Sequence, residues 1–174
     1  MSNRLHQLNA SYDLMQDRVL LSIGTEDGTE FRFWVTRRYL LLLWSVLGKV
    51  AAACAGARAS GDPIRREALA EMAHHEAQRH ADFKAPYRAG DKHPLGADPV
   101  LLAKIVVRQS PQGPATVSLL PPEGPGVDLG LDERMTHLLA SLLQRVAIQA
   151  EWQLALPPLA PPAMGEAAPP PQVH

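Results

Sequence analysis

In residues 18–36, RVLLSIGTEDGTEFRFWVT, apolar and polar positions alternate along two arms. Val19, Leu21 and Ile23 share one side of the first arm, and Phe31, Phe33 and Val35 share one side of the second. Successive side chains of a strand point to opposite faces, so this pattern predicts two strands with one buried face. Between the arms stands Asp27-Gly28, a pair that accepts the positive φ of a tight hairpin. A second pattern of this kind occupies residues 101–120. There Ile105 and Val107 alternate with Lys104, Val106 and Arg108, SPQGP turns the chain, and Ala115, Val117 and Leu119 alternate with Thr116 and Ser118. Connections this short join antiparallel strands. A further short strand is predicted at VDLGL, after the breaker PPEGPG. Upstream of the first arm, Asp13 and Asp17 read as solvated polar positions outside any strand.

Between and after the hairpins the apolar spacing changes to that of helices. One helix is predicted from Arg37 to Arg58. A second begins after Asp62, which can cap it, with Pro63 at the first helical position, and runs to about residue 81. A third follows Asp132, where Met135, Leu138, Leu139, Leu142 and Val146 fall on one face. The expected fold is therefore α+β: an antiparallel sheet of two β-hairpins, four to five strands in all, covered by about three helices. Apart from the loose strand–strand–helix echo of the two hairpins, no internal repeat is evident. One globular domain is expected over residues 1–156. Residues 157–174, PPLAPPAMGEAAPPPQVH, are too rich in proline for a ladder or a helix and read as a disordered tail.

Residues 39–57 contain one charged side chain, Lys49, and are about as long as a membrane-crossing helix. The distribution of polar positions decides against a span. At about 100° per residue, Leu40, Leu43, Trp44, Leu47, Val50, Ala51 and Cys54 share one arc, and Ser45, Gly48, Lys49 and Ala52 the opposite one. A helix surrounded by lipid has no reason to be amphipathic, and a central lysine is costly there. The stretch reads as a core helix entered directly from a strand. Leu41 and Leu42 lie outside the main arc, which raises homo-oligomerisation as an expectation.

Composition narrows the chemistry. The chain has 174 residues, a formal net charge of -1 and one cysteine, so neither an intrachain disulfide nor a multi-cysteine zinc site is available. Binding to nucleic acid would need a local basic patch. The first residues, MSNRLHQLNASYDLMQDR, hold no apolar signal core, which points to the cytoplasm. Arginine outnumbers lysine, and alanine and proline are abundant, a composition associated with GC-rich bacterial genomes. No phosphate-binding glycine loop and no nucleophile elbow is present, and no cofactor is implied. The segment HHEAQRH resembles a metalloprotease helix in spacing but places its second histidine one residue late. Glu76 and His80, four apart, remain the weak candidates for a metal pair.

The candidate binding residues are Arg32, Trp34, Arg37 and Arg38. Arg32 and Trp34 share a strand face, and Arg37 and Arg38 stand where the strand gives way to a helix, whose free N–H groups favour anions. The resulting expectation is a small cytoplasmic bacterial protein without catalytic activity, which binds another protein as an adaptor, regulator or assembly component. One alternative is a nucleic-acid-binding module that uses the four candidate residues. The other is a metal-dependent enzyme around Glu76 and His80.

Overall fold

The first hairpin forms as its pattern demands. In the computed structural model, which describes residues 5–58, 87–110 and 114–159, strand β2 (Arg18–Thr25) pairs antiparallel with β3 (Glu30–Val35). Val19 lies opposite Val35 and Leu21 opposite Phe33, and all four are completely buried. The connecting turn is held by Asp27. Its carboxylate accepts hydrogen bonds from Thr25 Oγ1 at 2.6 Å and Thr29 Oγ1 at 3.1 Å, and Gly28 adopts φ 79°.

A strand that the period-two pattern misses, β1 (Leu5–Asp13), pairs antiparallel with β2. Its inward residues are Leu5, Leu8, Ala10 and Tyr12. A register shift between Leu5 and Gln7 places Leu5 and Leu8 three apart on the same side, which hides the alternation. Asp13 thus ends a strand rather than preceding one. After β3, helix α1 (Arg37–Arg58) starts at Thr36, whose Oγ1 accepts from Tyr39 N at 3.2 Å. The helix expected over residues 62–81 lies outside the described residues, as do Glu76 and His80.

The expectation of a single sheet built from both hairpins is corrected here. Strand β4 (Val100–Leu101) runs parallel to β3 and closes a first sheet of order β1-β2-β3-β4. The chain then crosses to a second, antiparallel sheet of order β5-β6-β7, formed by β5 (Lys104–Arg108), β6 (Ala115–Leu120) and β7 (Val127–Leu131). Leu102 makes the crossing. Its N–H donates to Trp34 O at 3.0 Å, while the next residue, Ala103, donates to Leu120 O at 2.9 Å. Helix α2 (Glu133–Gln149) follows, capped by Asp132, which accepts from Met135 N at 2.7 Å. Among the described residues the fold is α+β with two sheets and two helices.

The echo between the hairpins is a structural repeat. Residues 19–50 and 115–146 align without a gap, and Ser22 with Ser118, Gly28 with Gly124, Leu43 with Leu139, Leu47 with Leu143 and Val50 with Val146 are identical pairs. The registers agree: Val19 faces Val35 and Ala115 faces Leu131. The first strands agree too, with Leu8 opposite Ile23 and Ile105 opposite Leu119. Both turn glycines are left-handed, Gly28 at φ 79° and Gly124 at φ 86°, and both helices start at a side-chain cap, Thr36 and Asp132. Each half is thus a three-stranded meander followed by a helix.

The halves share one core. Helix α1 packs along α2, α2 lies against β1 of the other half, and α1 reaches β5. Leu40, Leu43 and Leu47 of α1 and Leu139, Leu143 and Val146 of α2 are buried together with Phe33, Val117 and Leu119. No helix among the described residues is long and apolar enough to cross a membrane.

The aligned glycines make a paired test. Gly124→Ala forces an L-residue into the left-handed region, where the added Cβ meets nothing within 4 Å, so the cost is the conformational one of about 1 kcal/mol. Gly28→Ala adds a contact at 3.0 Å with Asp91 Oδ1 and costs more. Equilibrium urea unfolding of both variants checks the order.

Candidate functional site

The outer face of the first sheet carries two of the four candidate residues. Across β2 and β3, Arg32 lies opposite Ser22 and Trp34 opposite Leu20, and on the other side Trp34 pairs with Leu101 of β4. Trp34 is half-buried within this apolar row. Arg32 is also half-buried, and its Nε, fully shielded from solvent, has no hydrogen-bond partner among the described residues.

Residues 87–93 form a strap over the same face, a feature without a sequence signal beyond irregularity. Tyr87 donates to Glu30 Oε1 at 2.8 Å, Arg88 N to Gln7 Oε1 at 3.2 Å, and Lys92 Nζ to Asp27 O at 2.7 Å. The backbone joins in, with Glu30 N donating to Lys92 O at 2.8 Å. Gly90 permits this approach, since a Cβ there would stand 2.5 Å from Gly28 O. Glu30 is only 4% exposed, and His93 Nδ1 lies 3.7 Å from its Oε2, too far for a hydrogen bond. Burial, then the bond to Glu30, pushes the Tyr87 hydroxyl well above its usual range, so it acts as a donor and not as a base. The cluster anchors the strap. Among the described residues no three His, Cys, Asp or Glu side chains meet as a metal site.

Arg37 and Arg38 lie elsewhere, exposed on the first turn of α1. The structure therefore places the four residues on two surfaces, Arg32 and Trp34 on the sheet and Arg37 and Arg38 on the helix. Around the helix, the arginines share the exposed side with Leu41, Leu42, Ser45 and Lys49. The leucines are 42% and 49% exposed, and α1 contains no acidic residue. Cations in a first helical turn oppose the helix dipole, and nothing on α1 offsets them.

A third cluster ties the chain ends of the domain together. Asp17 accepts from Trp152 Nε1 and from Tyr12 OH, each at 2.8 Å, and the two rings meet edge to face with centroids 6.0 Å apart. Asp17, Glu151 and Gln153 all take positive φ, at 48°, 53° and 50°. The strained pair Glu151 and Gln153 brackets Trp152, which is 5% exposed, so local backbone strain is spent on seating that ring. An open depression of about 490 Å3 adjoins it, lined by Gln144, Ala147, Ile148, Glu151, Gln153, Leu154 and Leu156. Comparison with family models, with curated proteins and with solved structures returns no match.

The bond from Trp152 and then that from Tyr12 hold the Asp17 carboxyl below the usual carboxylate range, with the charge of Arg37 acting in the same direction. A lowered folded-state pKa contributes stability that is present above the unfolded value of about 3.9 and is lost as pH falls through the folded one. Asp17→Asn keeps the acceptor and removes the titration. Its stability, followed by Trp fluorescence, should change less than that of the parent chain as pH falls below about 4.

Proposed function

We propose that the chain is a non-enzymatic binding protein of the bacterial cytoplasm, an adaptor, regulator or assembly component, whose partner docks on the exposed side of α1. The observation that carries this reading is the combination on that side of Arg37, Arg38 and Lys49 with Leu41 and Leu42, on a helix without a single carboxylate. The whole chain has a net charge of -1, so a helix side with three cations and no carboxylate is a local departure. Exposed leucines ringed by cations match a protein surface that offers apolar side chains among carboxylates, and such complementarity speeds encounter and sets specificity. Self-association through this side brings like charges together, which argues for a different partner over a second copy.

The nucleic-acid alternative draws less support. Arg32 and Trp34, its stacking pair, are half-buried, with Leu20 and Leu101 flanking the ring and Tyr87 close to the arginine, whereas stacking platforms present open aromatic faces to bases. The metal-enzyme alternative rests on Glu76 and His80, outside the described residues.

The test compares the immobilised parent chain with Arg38→Glu/Leu42→Glu, two exposed positions where substitution leaves the core intact. A protein captured from a bacterial lysate by the parent should be retained at least tenfold less by the variant, should dissociate as salt rises, and should survive nuclease treatment. Equal capture by both chains overturns the reading. Capture abolished by nuclease moves the assignment to nucleic acid.

A further inference from the structure

Helix α2 ends in a turn that glycine normally closes. Trp152 N donates to Ala147 O and Glu151 N to Ile148 O, the nested pair of bonds in which the residue after the cap is left-handed. That residue is Glu151, at φ 53°. Seating Trp152 requires the conformation but not the side chain, and glycine adopts it without strain. The carboxylate is also misplaced electrostatically. It stands at the negative end of α2, whose last turn holds no basic residue. Among the described residues no hydrogen bond and no ion pair reaches it.

The neighbouring carboxylates have cations of their own. Arg18 stands across the strands from Asp13, and the charge of Arg37 acts on Asp17. Arg145 of α2 is engaged in an interaction of its own and forms no ion pair with Glu151. The Tyr12 hydroxyl registers the negative charge at this end of the domain. It is pushed up by its bond to Asp17, then by burial, then by the charges of Asp17, Asp13 and Glu151.

Glu151 forms part of the wall of the depression of about 490 Å3 at this end of α2. Ile148, which is 71% exposed, makes that wall apolar together with Leu154 and Leu156, and Gln144 and Gln153 add amides. A volume of this size suits a small organic group. We propose that the depression binds an organic cation, an ammonium or guanidinium group on a short apolar stem, with Glu151 as its counter-ion. The charged group bonds to the carboxylate and meets the partial negative charge of the helix end. Its stem lies along Ile148, Leu154 and Leu156, as the stems of lysine and arginine lie on apolar surface. The amide oxygens of Gln144 and Gln153 accept its remaining N–H groups. A bare metal ion finds no ligand set here, since among the described residues no three His, Cys, Asp or Glu side chains converge. The same chemistry is offered by a free small molecule and by an arginine or lysine side chain of another protein. The proposal does not rest on the exposed side of α1, so either can fail without the other.

The probe is n-butylguanidinium, titrated at low salt into the full isotope-labelled chain and followed by NMR. Saturable shifts are expected at the Ile148 and Leu154 methyl groups and at the Glu151 and Gln153 amides. Guanidinium without a stem and 1-butanol without a charge should each bind at least tenfold more weakly. Glu151→Gln should weaken n-butylguanidinium at least tenfold. Glu151→Gly should do the same while its thermal unfolding midpoint stays at or above that of the parent, because glycine suits the left-handed position. A capped peptide with one arginine among alanines distinguishes the sources: tighter binding than n-butylguanidinium assigns the site to a partner's side chain, and weaker binding to a free cation. Equal binding by the parent and both variants, equal binding of 1-butanol, or the absence of a saturable response at residues 144–156 overturns the proposal.

Discussion

The structure depends on one burial requirement: each three-stranded meander has an apolar face that its own helix does not fully cover. The solution is exchange. Helix α2 lies on β1 and α1 reaches β5, so each half completes the core of the other. A sheet that is apolar on one face must cover that face, and the two sheets and two helices together bury one continuous core. Leu102 is the covalent expression of this arrangement, buried at the point where the chain leaves one sheet for the other.

Much of this was legible in the sequence where a single residue type carries a single physical role. The β2–β3 hairpin followed from its alternation and from Asp27-Gly28, and α2 from its apolar face and its Asp132 cap. Strand β1 was not legible, because the shift between Leu5 and Gln7 breaks the period by which strands are recognised. Nor was the separation into two sheets, since alternation tells which face is buried and says nothing about which edge a strand meets. The repeat is veiled for a related reason. Its halves preserve register, turn handedness and cap position more than residue identity, and Thr36 and Asp132 look unrelated until both are seen accepting from the third residue onward.

The candidate site was legible in part. Exposure of Leu41 and Leu42 followed from their position off the main apolar arc of α1. The half-burial of Arg32 did not, because it depends on Tyr87 in the strap of residues 87–93. That strap is held by Glu30, Tyr87 and Lys92, which are far apart in the chain.

A chain that writes one backbone twice also contains its own control experiment. At every aligned pair the same local geometry has been filled independently in two places. Inward positions agree in character: Leu21 with Val117, Phe33 with Leu129, Leu47 with Leu143. On the outer faces of the sheets the copies diverge, with arginine against aspartate at 32 and 128 and tryptophan against glycine at 34 and 130, whereas Arg38 and Arg134, and Leu42 and Leu138, are the same. What the scaffold demands is common to both copies, and each position where they part is one that the shared backbone leaves free.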